Sequence, residues 1–563
     1  MSVAHGERIW LKSYPAGVPA DIDVQRYASL NALLEESFAR HAERPAFHNL
    51  GCTLGYGALD RMSRSLAAFL QDGLGLKRGE RVVVMLPNLL QYPVAAFSVL
   101  RAGLVLVNTN PLYTPRELHH QLADSGAAAI ILLENQAHTL AEAMAGTGLR
   151  HVIVSRIGDL LSWPRRVMTN LVVKHVRRMV RPYRLPGAIG FLEALQAGAG
   201  KALVRHPLGH DDPAVLQYTG GTTGVAKAAV LTHGNLVANT LQSLAWHAPV
   251  VDENGGGVVV TAIPLYHIFA FTINCLTYVA LGGLNRLITD PRDLPAFVEE
   301  LRRSHFTCIS GVNTLFNHLL HTPGFETLDF SSLKITIGGG MAVQRVVAER
   351  WREVTGRTLI EGFGLTETSP LACANPLNAE EFSGTIGLPI PSTEACVRDD
   401  DGAPLGIGIP GELWLRGPQV MQGYWQRPDE TAKVLSPDGW LRTGDIAVMD
   451  ERGYFKIVDR KKDLILVSGF NVFPNEIEEV IAAHPGVLEV AAIGVPDSDT
   501  GEAVKVFVVR KDPALDEAGL RTYCKQNLVG YKRPHHIVFR EQLPKSNVGK
   551  ILRRILRDEV RAP

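Results

Sequence analysis

Cysteine is scarce. Six occur in 563 residues, at positions 52, 275, 308, 373, 396 and 524, with no C-x-x-C pair and no metal-type spacing. That excludes a disulfide-stapled scaffold and suits structural thiols in a reducing cytosol, so a cytoplasmic protein is expected. Net charge is also missing: 57 basic and 57 acidic side chains cancel. No nucleic-acid partner held by bulk electrostatics is therefore expected. No window reaches the ~18 uninterrupted apolar residues of a spanning helix. The nearest, Ile268 to Leu284, is broken by Thr272, Asn274, Thr277, Gly282 and Gly283 and reads as a buried core helix. The stretch from Met1 to Trp10 holds His5, Glu7 and Arg8 without an apolar run, so no signal peptide is expected. Fixed-period repeats and low-complexity tracts are absent as well.

The hydrophobic share of 46% and the charged share of 20% describe a well-buried globular chain. Its length calls for at least two domains. Apolar residues at helical spacing mark helices from Ser29 to about His41 and from Leu59 to Leu70. Short apolar runs mark strands at Arg81 to Leu86, Leu104 to Val107, Ala127 to Leu133 and His151 to Val154, with a helix around Tyr92 to Ala102. Strands separated by helices predict α/β layers with a mostly parallel sheet.

Between the apolar runs Ala214 to Leu216 and Ala228 to Leu231 lies a loop from Tyr218 to Lys227. Gly220, Gly221 and Gly224 let backbone N–H groups approach an anion. Thr219, Thr222 and Thr223 add hydroxyls, and Lys227 adds a positive charge. A polyphosphate suits so many donors. The spacing is not Walker A, because Ala226 precedes Lys227 and Ala228 follows it. The alternative is a surface linker.

Further on, Gly338, Gly339 and Gly340 end a second apolar strand where a planar base could approach bare backbone. Glu361 to Thr368 sets Phe363 between glycines, exposed for stacking, and puts the Thr366 hydroxyl beside the Glu367 carboxylate, an oxygen ligand that Mg²⁺ would use. His267 sits in an apolar segment, where a satisfied core histidine is the commoner role. The stretch Gly406 to Gly411 matches G-x-G-x-x-G, but no strand leads in and Pro410 interrupts it, so a dinucleotide role fails.

The segment from Trp163 to Arg184 carries seven basic residues (Arg165, Arg166, Lys174, Arg177, Arg178, Arg181, Arg184) and no acid. Met168, Val172, Val176, Met179 and Val180 would share one face of a helix through it. Two readings stand: a basic amphipathic helix on an anionic membrane surface, or a helix packed on its domain with a solvated face.

In the carboxy-terminal quarter, Asp445 follows a glycine turn and is placed to accept from a ribose diol. The run Asp459 to Asp463 reads as a solvated linker and marks a domain boundary. Beyond it a helix opens at Pro474, strands cover Val490–Val495 and Val504–Val509, and a helix spans Leu520 to Leu528. Pro544 and Gly549 shape a loop that would hold Lys550 out from the body.

Together the 218–227 loop, the 361–368 segment, Arg442 to Asp445, the 456–478 block and the 544–550 loop resemble, in order and spacing, the adenylate-forming superfamily of acyl-CoA synthetases, luciferases and adenylation domains. The segments 89–94, 108–116, 311–316 and 467–474 are most similar to bacterial long-chain fatty-acid–CoA ligases. The resemblance implies an α/β fold: a large domain, 1–459, of layered α/β subdomains with a small β-rich subdomain, and a small mobile α+β domain, 460–563. It implies fatty acid, ATP and CoA as substrates, Mg²⁺ as metal, and an acyl-adenylate intermediate. It assigns the 218–227 loop to the β- and γ-phosphates. Gly339, Gly340 and Met341 with Gly362, Phe363 and Gly364 fall to the adenine wall, and Glu361 counts among the cofactor-binding residues. Thr366 and Glu367 go to the α-phosphate and Mg²⁺, Asp445 to the ribose, and Arg460 to a further nucleotide contact. Lys550 takes the part of the mobile catalytic lysine, and His267 lies beside the acyl carboxylate. Ser468 and Gly469 line a pantetheine tunnel once the small domain rotates about a hinge near Arg460 to Lys462. Medium-chain or aryl acids, and a catalytically silent lipid- or nucleotide-binding relative, remain alternatives. So do a homodimer and a peripheral contact with the inner membrane face. One departure stands out: relatives carry Gly where this chain has Ala228, which would cost roughly 1 kcal/mol if φ had to be positive there.

Overall fold

The computed structural model describes residues 8–219, 226–251, 256–546 and 548–561. Among these, four sheets organise the chain. An eight-stranded sheet has its parallel centre in Val105–Asn108, Arg81–Met85, Ala129–Leu133 and His151–Ser155, and continues on the other side into Pro213–Thr219 and Lys227–Thr232. Its central strands are apolar on both faces because helices cover both sides; Val82 to Met85 and Ile130 to Leu132 are wholly buried. A nine-stranded sheet centres on Val258–Thr261, Cys308–Gly311, Ile335–Gly338 and Leu359–Gly364, all paired in parallel. Their carboxyl ends carry the glycine-rich segments. An antiparallel four-stranded sheet, Glu394–Arg398, Gly411–Arg416, Leu441–Met449 and Phe455–Arg460, supplies Asp445 and Arg460 from its last two strands. The fourth sheet, built on Val487–Asp497 and Gly501–Arg510 with His536–Arg540 alongside, forms the core of a small carboxy-terminal lobe.

The expected helices and strands of the large lobe are present, with helices at Leu30–Arg40, Tyr56–Ala68 and Gln91–Arg101. Three expectations need correction. The helix predicted through residue 181 runs only over Trp163–Leu171, followed by a wider π-type turn, Val172–Val176. Arg178 then takes a φ of +51°, which ends it, so Met179 and Val180 share no helical face with Met168. Ala228 lies in the strand Lys227–Thr232, buried and paired with Tyr218, so its Cβ meets no backbone penalty.

The third concerns Asp459 to Asp463, which is no solvated linker. Asp459 is fully buried and Asp463 nearly so. Arg553, from the terminal helix Arg553–Arg561, reaches Asp459 (3.3 Å), Asp463 (3.4 Å) and Glu478 (2.7 Å), and Arg557 adds a second contact to Asp463 at 2.7 Å. The Asp459 carboxylate also accepts from the Asn475 amide at 2.8 Å. Removing one partner from such a knot strands the others. Arg553→Met should therefore destabilise the small lobe by about 3–5 kcal/mol, read as a lowered denaturation midpoint; an unchanged midpoint would show that the acids find solvent or other partners.

Candidate active site

The strand ends and the small lobe enclose one cavity of about 1330 Å³. Its polar end is lined by Tyr218, Thr219 and Lys227, by Gly339, Gly340 and Met341, by Glu361 to Gly364, by Thr366 and Glu367, and by His267, Asp445, Arg460 and Lys550. The same lining includes the apolar side chains of Phe269, Ile273, Ile337, Ile360, Leu371 and Trp246. Gly220, Gly221, Thr222, Thr223 and Gly224 lie outside the described residues. Ser468 and Gly469 are not brought in: they form the exposed turn joining Ile465–Val467 to Phe470–Val472, away from the cavity.

Each polar group is set by its local fold. Asp445, 2% exposed, accepts from Arg460 Nε at 3.0 Å through Oδ1, while Oδ2 is buried without a partner. Burial raises its pKa, with Arg460 pulling the other way. An acceptor left unpaired in a cavity is costly until a donor arrives, and a sugar hydroxyl is such a donor. Glu361, at the end of Leu359–Gly364, is buried and its pKa is pushed up to about 8 by desolvation, with the Val343 amide (3.4 Å) as the main opposing influence. The shift favours the protonated form, which could donate a hydrogen bond. Gly364 could not be replaced, since a Cβ there would stand 1.8 Å from the Pro370 carbonyl oxygen.

Glu367 sits in the short turn Thr366–Thr368, and its Oε1 accepts the Tyr424 hydroxyl at 2.6 Å. Tyr218 donates its own hydroxyl to Asp124 at 2.8 Å, so it anchors the strand end while its ring lines the wall. Lys227 pairs with Glu430. His267 Nδ1 accepts the Phe269 amide at 3.3 Å, which leaves the proton of the neutral ring on Nε2. Burial, and then Lys550, hold its pKa down at about 4.

Lys550 does not stand out from the body. It is half-buried near Asp445 and Arg460, where burial first and Arg460 second lower its pKa to about 8. Contacts between the lobes flank it: Thr314 Oγ1 donates to the Gly549 carbonyl (2.9 Å), and on the strand Val487–Asp497 the Leu488 carbonyl accepts from Asn317 Nδ2 (3.0 Å) and Glu489 meets His318 at 3.2 Å. Gly549 has a φ of +84°, and a Cβ would come 2.9 Å from Thr314 Oγ1. Sequence reasoning missed Tyr424, Glu430 and Arg553; only the glycine–aromatic pair Gly423–Tyr424 hinted at any of them.

A family described as AMP-binding enzyme matches residues 34–425, and the AMP-binding enzyme C-terminal domain matches 476–550. The chain belongs to the AMP-binding enzyme family. This AMP-binding enzyme is 58% identical over 555 residues to the long-chain-fatty-acid–CoA ligase of Escherichia coli O157:H7, covering 99% of both chains. It is 58% identical over 553 residues to that of Yersinia pestis, covering 98% of each. Among solved structures, ATP-bound MatB from Rhodopseudomonas palustris superposes with a TM-score of 0.80 at 27% identity, over 95% of this chain and 99% of that one.

Lys550 and Glu361 are the two groups of this cavity placed at about 8, one lowered to that value and the other raised to it. Because the Lys550 pKa is lowered to about 8, its charge is lost as pH rises through that value. Equilibrium ATP binding should weaken above about pH 8 in the native chain and in Glu361→Gln, whereas Lys550→Ala should lack that limb. A limb that persists in Lys550→Ala would assign it to another group.

Proposed function

We propose that this enzyme is a long-chain fatty-acid–CoA ligase working in two half-reactions. The acyl carboxylate attacks the α-phosphorus of ATP in line; the α–β bridging oxygen leaves with pyrophosphate, and an acyl-adenylate forms. The CoA thiol, its proton passing to solvent, then attacks the acyl carbon; AMP leaves and the thioester remains. The observation that carries the reading is that Asp445 with its unpartnered oxygen, Glu367, Lys227, Lys550 and apolar side chains such as Phe269, Ile273 and Leu371 line one cavity. Full-length relatives at 58% identity that bear this name support the acyl choice.

No protein nucleophile is needed; positioning and charge stabilisation do the work. Asp445 Oδ2 receives the ribose hydroxyl, the backbone at Gly339 to Met341 and Gly362 to Gly364 walls the base, and Phe363 stacks on it. The neutral His267 offers Nε2–H towards the acyl carboxylate. Lys550 and Thr366 meet the α-phosphate, and Lys227 the leaving pyrophosphate. Glu367 fits a Mg²⁺ site: one carboxylate, with no cluster of three or more metal-type side chains among the described residues, suits an ion that keeps phosphate oxygens and waters as its other ligands. When bound, Mg²⁺ would supply charge neutralisation on the phosphates.

Lys550 belongs to the small lobe, so we take that lobe to close for adenylation and turn away for thioester formation, about a hinge near Arg460 to Lys462. The exposed Ser468–Gly469 turn is consistent with a part played only in the second arrangement. Lys550→Ala should lower carboxylate-dependent ATP–pyrophosphate exchange by about 10²-fold or more and spare thioester formation from supplied acyl-adenylate. Equal loss in both steps would remove this role. The same exchange assay across acids of graded length tests the long-chain reading, which fails if aryl or medium-chain acids are preferred.

Peripheral membrane contact is a second part of the reading. Trp163, Met168 and Val176 are 70%, 62% and 66% exposed, amid seven basic residues and no acid. Exposed aromatic and aliphatic side chains beside cations match an anionic lipid surface. Trp163→Ser with Met168→Ser should reduce flotation with anionic liposomes several-fold and leave exchange activity intact. Undiminished flotation would refute the contact.

A further inference from the structure

Residues 418–427 cross between the turn that carries Glu367 and the strand that carries Lys227, and they are stitched to both. On one side the Met421 amide donates to the Glu367 carbonyl at 2.8 Å, and the Ser369 hydroxyl to the Gln419 carbonyl at 2.8 Å. On the other, Gly423–Tyr424 pairs antiparallel with Lys227–Thr232, Tyr424 opposite Ala229, and the Trp425 amide donates to the Ala228 carbonyl at 2.8 Å. The Tyr424 amide is fixed in turn by Thr431 Oγ1 at 2.9 Å.

The side chain of Tyr424 repeats this bridge. Its hydroxyl donates to Glu367 Oε1 at 2.6 Å, and its ring face lies 4.9 Å from Lys227 Nζ. Glu430, from the helix Pro428–Val434, holds the same ammonium. One phenol thus touches both the acid and the lysine assigned to the phosphate end. A carboxylate with one oxygen held by a phenol has its orientation set and presents the other oxygen in a defined direction. The ring face attracts the cation and, with Glu430 holding the same ammonium, fixes where it stands.

We infer that Tyr424 is a positioning residue for the phosphate end of the reaction, fixing the Glu367 carboxylate through its hydroxyl and the Lys227 ammonium through its ring. This rests on the assignment of Glu367 and Lys227 to the Mg²⁺-bearing triphosphate. Its two contacts are separable. Tyr424→Phe keeps the ring under Lys227 and deletes the hydroxyl; Tyr424→Leu deletes both.

The test is equilibrium binding of ATP over a Mg²⁺ series and in its absence, with the full chain and no acid or CoA. Tyr424→Phe should raise the Mg²⁺ concentration giving half-maximal enhancement of ATP binding by about 10- to 100-fold, with Mg²⁺-free binding unchanged. Tyr424→Leu should also weaken Mg²⁺-free binding. In a Glu367→Gln background, Tyr424→Phe should add no further shift, a non-additivity that general damage to the fold would not produce. Wild-type Mg²⁺ dependence in Tyr424→Phe, or equal weakening with and without Mg²⁺, overturns the inference about Tyr424 alone. Wild-type Mg²⁺ dependence in Glu367→Gln overturns the assignment of Glu367, and the inference with it.

Discussion

A buried carboxylate paired with one cation and influenced by a second governs this structure. Asp445 is taken out of water with one oxygen on Arg460 and the other unpaired, and Lys550 arrives beside them from the small lobe. Such a charge is tolerated only where neighbours compensate it. Arg460 alone gives partial compensation, since burial still raises the acid's pKa. A ligand hydroxyl on Oδ2 and a phosphate between the two cations would complete the balance. The site is unbalanced in the sense that its substrate corrects.

The contacts between the lobes that flank Lys550 have a character that suits reversibility. Thr314 with Gly549, Asn317 with Leu488 and His318 with Glu489 are polar, and two of the three end on backbone carbonyls that solvent could equally satisfy. A large apolar face would fix the lobes; a polar one lets them part at little cost. The knot around Arg553 is different. Most of its partners, Asp463, Asn475 and Glu478, follow the chain segment where the sheets change over, and only Asp459 precedes it. It binds the small lobe to itself and grips the large lobe by a single carboxylate.

Much of this was legible in the sequence because the relevant signals are local. Continuous apolar runs such as Arg81–Met85 have one stable use in a layered α/β fold, and glycine placement at Gly364 follows from close backbone approach. Charge runs are not local in that sense. Asp459 to Asp463 reads as solvated because Arg553, 94 positions away from Asp459, is invisible to any window. The overlong helix at Trp163 has the same origin: periodicity cannot report that Arg178 turns left-handed. Ala228 shows the converse, where a rule about glycine was applied at a position that proves to be ordinary strand.

The phosphate end shows why site residues outside motifs escape such reading. Glu367 and Lys227 are conspicuous because each lies in a glycine- and threonine-rich segment, yet neither is oriented by that segment alone. Tyr424 meets Glu367 from 57 positions away, and Glu430 meets Lys227 from 203. A carboxylate and an ammonium proposed to act on one triphosphate would need their separation set by something rigid. A strand edge crossing between them supplies that rigidity at lower entropic cost than two flexible side chains finding the geometry unaided. The charged groups can then be read from composition, whereas their spacing is a property of the sheet.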